Sequence, residues 1–299
     1  MRPVIVGSGP NGLAAAAFLA RKGYAPLVLE ARERVGGGMR SGELTIPGLV
    51  HDECAAVLPL AIGSPFFRSL PLANHGLTWI HPDAPLAHPL DDGRCVLLDR
   101  NLRRTADGLG ADGDGYLRLV GPVAKAWPVL AREILGPVLH VPRHPVALGR
   151  FGLRALRSAR GVAEGTFSGE EGRALFAGIA AHGMIPLEAP ASAAVGLVLA
   201  AAGHAVGWPI VRGGTEGLAE ALAAIVRTEG GEIRTDHAVD QADSLPDGAV
   251  VIFNLTPREL LRVAGGRFPD RYRRGLERYR YGPGTFKVDF ALDGPVPWA

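Results

Sequence analysis

Pro3-Val4-Ile5-Val6-Gly7-Ser8-Gly9-Pro10-Asn11-Gly12 runs into an alanine-rich stretch, Leu13 to Ala20, and then into Leu27-Val28-Leu29-Glu30. An apolar run, a glycine turn, a helical pattern and a second apolar run ending in an acid are the signature of a βαβ unit built around a dinucleotide. Gly7 permits the tight strand-to-helix turn. Gly9 lets the backbone approach a pyrophosphate, and Gly12 lets helix and strand pack closely. The helix amino terminus then faces the phosphates with its free N–H groups and the positive end of its dipole. Glu30 lies 18 residues after Gly12, where an acidic side chain meets the ribose hydroxyls of the adenosine.

The surroundings give this G-x-G-x-x-G its specificity. The strand before it holds no polar residue. Leu13, Ala16, Ala17 and Ala20 repeat at i, i+3, i+4 and i+7, and Gly23 closes the helix. Pro10 suits a first helical turn, where its missing N–H costs nothing. Gly110-Ala111-Asp112-Gly113-Asp114-Gly115 fails the same test, because no apolar run precedes it. A second dinucleotide domain, and a bound nicotinamide as reductant, are therefore not expected.

Glu30-Ala31-Arg32-Glu33-Arg34-Val35-Gly36-Gly37-Gly38-Met39-Arg40-Ser41 resembles the second fingerprint of the FAD-binding flavoprotein superfamily that includes phytoene desaturases and flavin amine oxidases. Three successive glycines can bring backbone N–H groups to the other side of a pyrophosphate, and Arg40 and Ser41 can add hydrogen bonds. The resemblance extends along the chain and is closest to the phytoene-desaturase-related group. It is carried by His51-Asp52-Glu53-Cys54-Ala55-Ala56, Ser64-Pro65-Phe66-Phe67, Gly207-Trp208-Pro209 with Arg212-Gly213-Gly214-Thr215, and Tyr281 to Asp289.

The resemblance implies FAD as cofactor, held by Gly7, Ser8, Gly9, Pro10, Asn11, Gly12, Glu30, Ala31, Arg32, Gly36, Gly37, Gly38, Met39, Arg40 and Ser41, with Val239 against the adenine. It implies an α/β fold, a Rossmann-like FAD-binding domain (1–58 and 207–265) interleaved with a helix-rich α+β substrate domain (59–206 and 266–299). The implied reaction is dehydrogenation of an apolar, isoprenoid or lipid-like substrate by hydride transfer to flavin N5, the electron acceptor being open. Gly38 stands where flavin amine oxidases usually carry an arginine, which disfavours an amine substrate. Members of the group continue past the position of Trp298, so the chain is expected to be truncated. The alternatives are a flavin amine oxidase or an inactive truncated flavoprotein serving as a binding protein.

Phe286, Val288, Phe290 and Leu292 alternate with Thr285, Lys287, Asp289 and Ala291, a strand pattern with one apolar face. The spacing from Lys287 to Trp298 resembles the amine-oxidase strand whose lysine holds a water near flavin N5, which makes Lys287 the candidate catalytic residue. The plain reading is a solvated Lys287–Asp289 pair. His182 and His204 flank an Ala-rich helical region, and a histidine there is more often structural than catalytic. No metal ligand set stands out.

A net charge of +2 gives no reason to expect nucleic acid, and 47% apolar residues is ordinary for a globular chain. Cys54 and Cys95 lack C-x-x-C spacing and read as small apolar residues in a reducing compartment. With the first strand starting at Pro3, a cytoplasmic location is expected. Helices are expected near 113–135, 145–160, 170–182 and 190–203, and Thr215 is expected to cap another. On 145–160, Arg143, Arg150, Arg154, Arg157 and Arg160 fall opposite Leu148, Phe151 and Ala155. That face reads either as a peripheral contact with an anionic membrane or as a solvated side of a core-packed helix.

Overall fold

Val-Ile-Val and Leu-Val-Leu are apolar on both faces, as strands covered from both sides must be. In the computed structural model, which describes residues 2–137 and 139–296, these runs are β1 (Val4–Val6) and β2 (Leu27–Leu29), joined by helix α1 (Pro10–Arg21). A short antiparallel pair follows, β3 (Ser41–Gly42) with β4 (His51–Asp52). After a long excursion the chain returns with α2 (Glu216–Thr228), β5 (Glu232–Arg234), β6 (Val251–Phe253), α3 (Pro257–Ala264) and α4 (Asp270–Glu277). The parallel sheet has the order β6-β1-β2-β5. Ile5 sits opposite both Val28 and Ile252, and Val28 sits opposite Ile233.

Leu13, Ala16, Ala17 and Ala20, the stripe read from the sequence, are all buried, and α1 packs on α2. A separate cluster of Val4, Val6, Leu27 and Leu29 with Val239, Leu245 and Val263 fills out the core of this unit. Burial of such side chains stabilises by about 1.5–3 kcal/mol each.

The chain divides into two compact units, one of Met1–Ala56, Pro71–Trp79 and Ile210–Pro295, the other chiefly of Val57–Leu70 and Ile80–Pro209. Residues 266–295, assigned from sequence to the substrate domain, cluster here with the unit that holds the parallel sheet. The reason is local: α4 packs on α3, and Tyr281 lies under the Arg258 guanidinium, 5.5 Å from ring to charge.

The second unit holds an antiparallel hairpin, Leu86–Pro89 with Cys95–Leu98, and helices Gly113–Lys125, Trp127–Ile134, Pro145–Ala155, Ala159–Thr166, Glu170–Ala181 and Ser192–Ala205. Its core centres on Tyr116, Trp127, Leu130, Phe167, Phe176 and Leu197. Two expected helices are each split. The 113–135 pattern breaks before Trp127-Pro128, where proline opens a new helix. The 145–160 pattern breaks at Ser158, whose hydroxyl accepts from Gly161 N at 3.1 Å and caps the next helix.

The arginine stripe therefore does not form one helical face. Leu148, Phe151 and Ala155 do turn to the core. Arg154 donates to the Arg118 carbonyl at 2.7 Å, Arg157 to the Gly161 carbonyl at 3.3 Å, and Arg160 pairs with Glu164. No helix among the described residues is long and apolar enough to cross a membrane. Cys54 and Cys95 are exposed free thiols rather than packed apolar groups.

Candidate functional site

The β1–α1 turn is shaped by what surrounds it. Gly7 has φ +95°, and a Cβ there would meet the Asn254 carbonyl oxygen at 2.7 Å. A Cβ on Gly12 would lie 2.1 Å from the Gly7 oxygen, so no side chain fits there. The glycine triplet comes back onto this turn. Gly36 N donates to Ser8 O at 3.0 Å, and a Cβ on Gly37 would lie 2.9 Å from Gly9 Cα. The two glycine clusters thus form one surface of bare backbone.

Glu30 stands at the end of β2, only 7% exposed. Its Oε2 accepts from Ser8 N at 2.9 Å and Ser8 Oγ at 2.5 Å. Its Oε1 accepts from Arg32 N at 3.0 Å and the Arg40 guanidinium at 3.2 Å. Burial pushes the carboxyl pKa up. The Ser8 hydroxyl, the two backbone N–H groups and Arg40 outweigh it, so Glu30 titrates below its usual value.

A cavity of about 510 Å³ opens over these groups. Gly7, Gly9, Glu30, Ala31, Arg32, Gly37, Arg40 and Val239 line it, as do His237, Asn254, Thr256, Glu259 and Arg262. A neighbouring space of about 550 Å³ shares Ala31, Arg32 and Arg40 with it. Three arginines, exposed backbone and a charged carboxylate at the end of β2 suit a ligand with phosphates at one part and a ribose at another.

Other expected site residues stand behind this surface. Ser8 supports Glu30, and Pro10 fills the first turn of α1. Asn11, Gly36 and Gly38 are not in the lining, and Met39 is buried. The Ser41 hydroxyl is spent on Asp52 Oδ1 at 2.6 Å and accepts from Glu216 N at 3.1 Å, so it fixes the start of α2. Thr215 holds the N-cap position of α2 but makes no side-chain cap. Its hydroxyl is 2.7 Å from Ala55 O, and its N–H donates to Asp52 Oδ1 at 2.6 Å.

Two residues, Arg34 and His237, were missed from sequence, whereas Asn254-Leu255-Thr256 was read as following a strand where a nucleotide edge would lie. Arg34 donates to Ser41 O at 2.9 Å and to Glu216 at 2.7 Å, bracing the triplet loop against α2. His237 enters the lining just after β5, too far along the chain for any local pattern to reveal, and Asn254 enters it just after β6. For Asn254 the signal was its place, the first residue after a half-buried parallel strand, where ligands collect.

Lys287 does not line the cavity. It is paired with Asp289, which lies 3.4 Å from His51 Nδ1, and His51 Nε2 is 2.8 Å from Thr45 Oγ1. The expected strand around it is absent. Residues 285–292 make no sheet ladder among the described residues, and Phe286 is 91% exposed. Pro297 and Trp298, the far end of that spacing, lie outside the described residues. In the other unit, His204 Nε2 meets Tyr116 Oη at 2.7 Å, and burial pushes the phenol pKa up and the imidazole pKa down. His182 stacks edge-on against Trp208, 5.5 Å between ring centres. No cluster of metal-ligating side chains occurs among the described residues.

Residues 5–69 match the NAD(P)-binding Rossmann-like domain. A limonene dehydrogenase component from Castellaniella defragrans is 30% identical over 106 residues, 36% of this chain and 19% of that protein. An oxidoreductase from Methanosarcina mazei has a TM-score of 0.62 at 18% identity, over 93% of this chain and 64% of its own. A redesigned putrescine oxidase has a TM-score of 0.58 at 21% identity, over 92% of this chain and 63% of its own. The chain thus spans under two thirds of each. Residues 5–69 are similar to the NAD(P)-binding Rossmann-like domain, and the chain around them shares its fold with these oxidoreductase structures.

Proposed function

We propose that this protein is an FAD-dependent oxidoreductase that dehydrogenates an apolar, isoprenoid or lipid-like substrate. The observation that carries the reading is the approach of the Gly36–Gly38 turn onto Gly9, beside the Glu30 carboxylate and over a cavity lined by Arg32, Arg40 and Arg262. An NAD domain does not need a glycine triplet there; a ligand gripped from both sides of its pyrophosphate does. The residues present fit that group. Glu30 would hold the ribose, the Asn11 N–H a phosphate oxygen beside the bare Gly9 backbone, and Val239 the adenine edge. FAD, when bound, supplies a two-electron acceptor for a substrate C–H bond, leaving the protein to position that bond and exclude water.

The substrate class rests on Gly38, in place of an amine-oxidase arginine, and on the relative that acts on limonene, a hydrocarbon. The putrescine oxidase likeness keeps an amine substrate as the second reading. Titration of purified protein with FAD, followed by quenching of flavin fluorescence, should show saturable one-to-one uptake. Absence of uptake at tens of micromolar protein would sink the proposal.

Lys287 enters the proposal through its tie to Asp289 and His51, a polar chain able to hold an ordered water. Lys287→Met should lower turnover by on the order of a hundredfold and leave FAD affinity unchanged. Unaltered turnover would reduce the pair to an ordinary surface ion pair.

A further inference from the structure

The first turn of an α-helix leaves N–H groups without carbonyl partners, and an N-cap side chain normally serves one of them. Helix α1 has Gly9 at its N-cap and therefore no cap of its own. The side-chain amide of Asn254, at the end of β6, reaches the turn instead. With its oxygen toward the loop it accepts from Gly12 N at 3.2 Å and from Gly9 N at 3.3 Å. The opposite orientation gives only one 3.4 Å contact, from the amide nitrogen to the Gly7 carbonyl, so the network selects the first.

Gly9 and Gly12 are the N-cap and third helical positions. Their N–H groups are the two that a capping box satisfies with two local side chains. Here one carbonyl oxygen, 242 residues beyond Gly12, serves both. The fit is close: a Cβ on either glycine would lie 2.9 Å from the Asn254 amide. Asn254 is itself fixed, its N–H donating to Val6 O at 2.8 Å. Pro10 has no N–H, so the Asn11 N–H remains as the first-turn donor for a phosphate oxygen.

We propose that Asn254 is a positioning residue for the dinucleotide: it caps α1 from a distant strand and holds the phosphate-binding turn in its ligand-ready form. The proposal rests on the cofactor reading above but also makes a claim about the ligand-free protein. Amide hydrogen exchange of the full chain without ligand should show Gly9 and Gly12 exchanging about tenfold faster in Asn254→Ala than in the parent, the equivalent of roughly one lost hydrogen bond. Asn254→Asp keeps both acceptor positions and should retain the slow exchange.

In binding assays, Asn254→Ala should weaken FAD and ADP by about tenfold and leave adenosine, which carries no phosphate, unchanged. Unaltered exchange at Gly9 and Gly12 in the alanine variant overturns the cap. Equal weakening of adenosine and ADP overturns the phosphate-specific role. If the parent protein takes up neither FAD nor ADP, the cofactor reading and the positioning role fall together, while the exchange result still decides whether the cap exists.

Discussion

Gly37→Val should leave the protein folded but nearly unable to hold a dinucleotide. Gly37 has φ +56°, a left-handed conformation, and its added side chain would begin 2.9 Å from Gly9 Cα and 3.9 Å from Pro10 Cδ. Neither neighbour is the movable tip of a long side chain, so the turns themselves must part. A side-chain-bearing residue in that conformation costs roughly 1–2 kcal/mol, and overpacking adds roughly 1–3 kcal/mol. The loss falls where the two backbones share one ligand. FAD affinity should fall by about a hundredfold, close to 2.7 kcal/mol, and Tm by roughly 4–12 °C.

Gly38→Ala is the matched control. Its φ is not in the left-handed region, and its Cβ would make only ordinary 3.7 Å contacts with Cys54 Cβ and Sγ. It should bind FAD within twofold of the parent. Equal behaviour of the two variants in a fluorescence titration would mean that the triplet is a flexible connection and no part of a cofactor cradle.

The contrast between those glycines marks how far the sequence could be read. The β1–α1 unit and Glu30 were legible because every signal there is local: period-3.6 apolar spacing, a proline in the first turn and a carboxylate at a fixed distance. That three glycines follow Glu30 was equally plain, but which of them touches Gly9 depends on the return of the chain, which Arg34 secures through Ser41 and Glu216. Thr215 was legible as a helix start and misleading as a cap, since Asp52, Met39 and Ala55 compete for its hydroxyl. The split helices were foreshadowed by Pro128 and Ser158, which break or start helices for reasons written in their own chemistry. The alternation at 285–292 predicted a strand, yet a strand exists only where a neighbour supplies the ladder, and no residue spacing reports the neighbour. Asn254 was legible by its place after a strand, but its contact with Gly9 and Gly12 comes from a partner more than two hundred residues away.

Glu30→Gln should destabilise the ligand-free protein by roughly 1–3 kcal/mol near neutral pH, the cost of leaving a buried donor unpaired. Both carboxylate oxygens face donors only, Ser8 on one side and Arg32 N with Arg40 on the other. Whichever way the new amide turns, its NH₂ group confronts N–H groups, and Arg40 loses its nearest countercharge. The difference must also depend on pH. Glu30 titrates below the ordinary glutamate value of 4.5 in the folded protein, so the unfolded chain takes up its proton first as pH falls. Its stabilisation is therefore complete above about pH 5 and declines as the pH drops through the depressed folded value. Urea unfolding of both proteins from pH 7 downward should show a constant gap that begins to close below the ordinary glutamate range. The same substitution removes the ribose acceptor, so FAD binding at pH 7 should weaken by about tenfold or more. A gap that stays constant through the acid range would place the stabilising effect outside the carboxylate, and unchanged FAD affinity would remove Glu30 from the site.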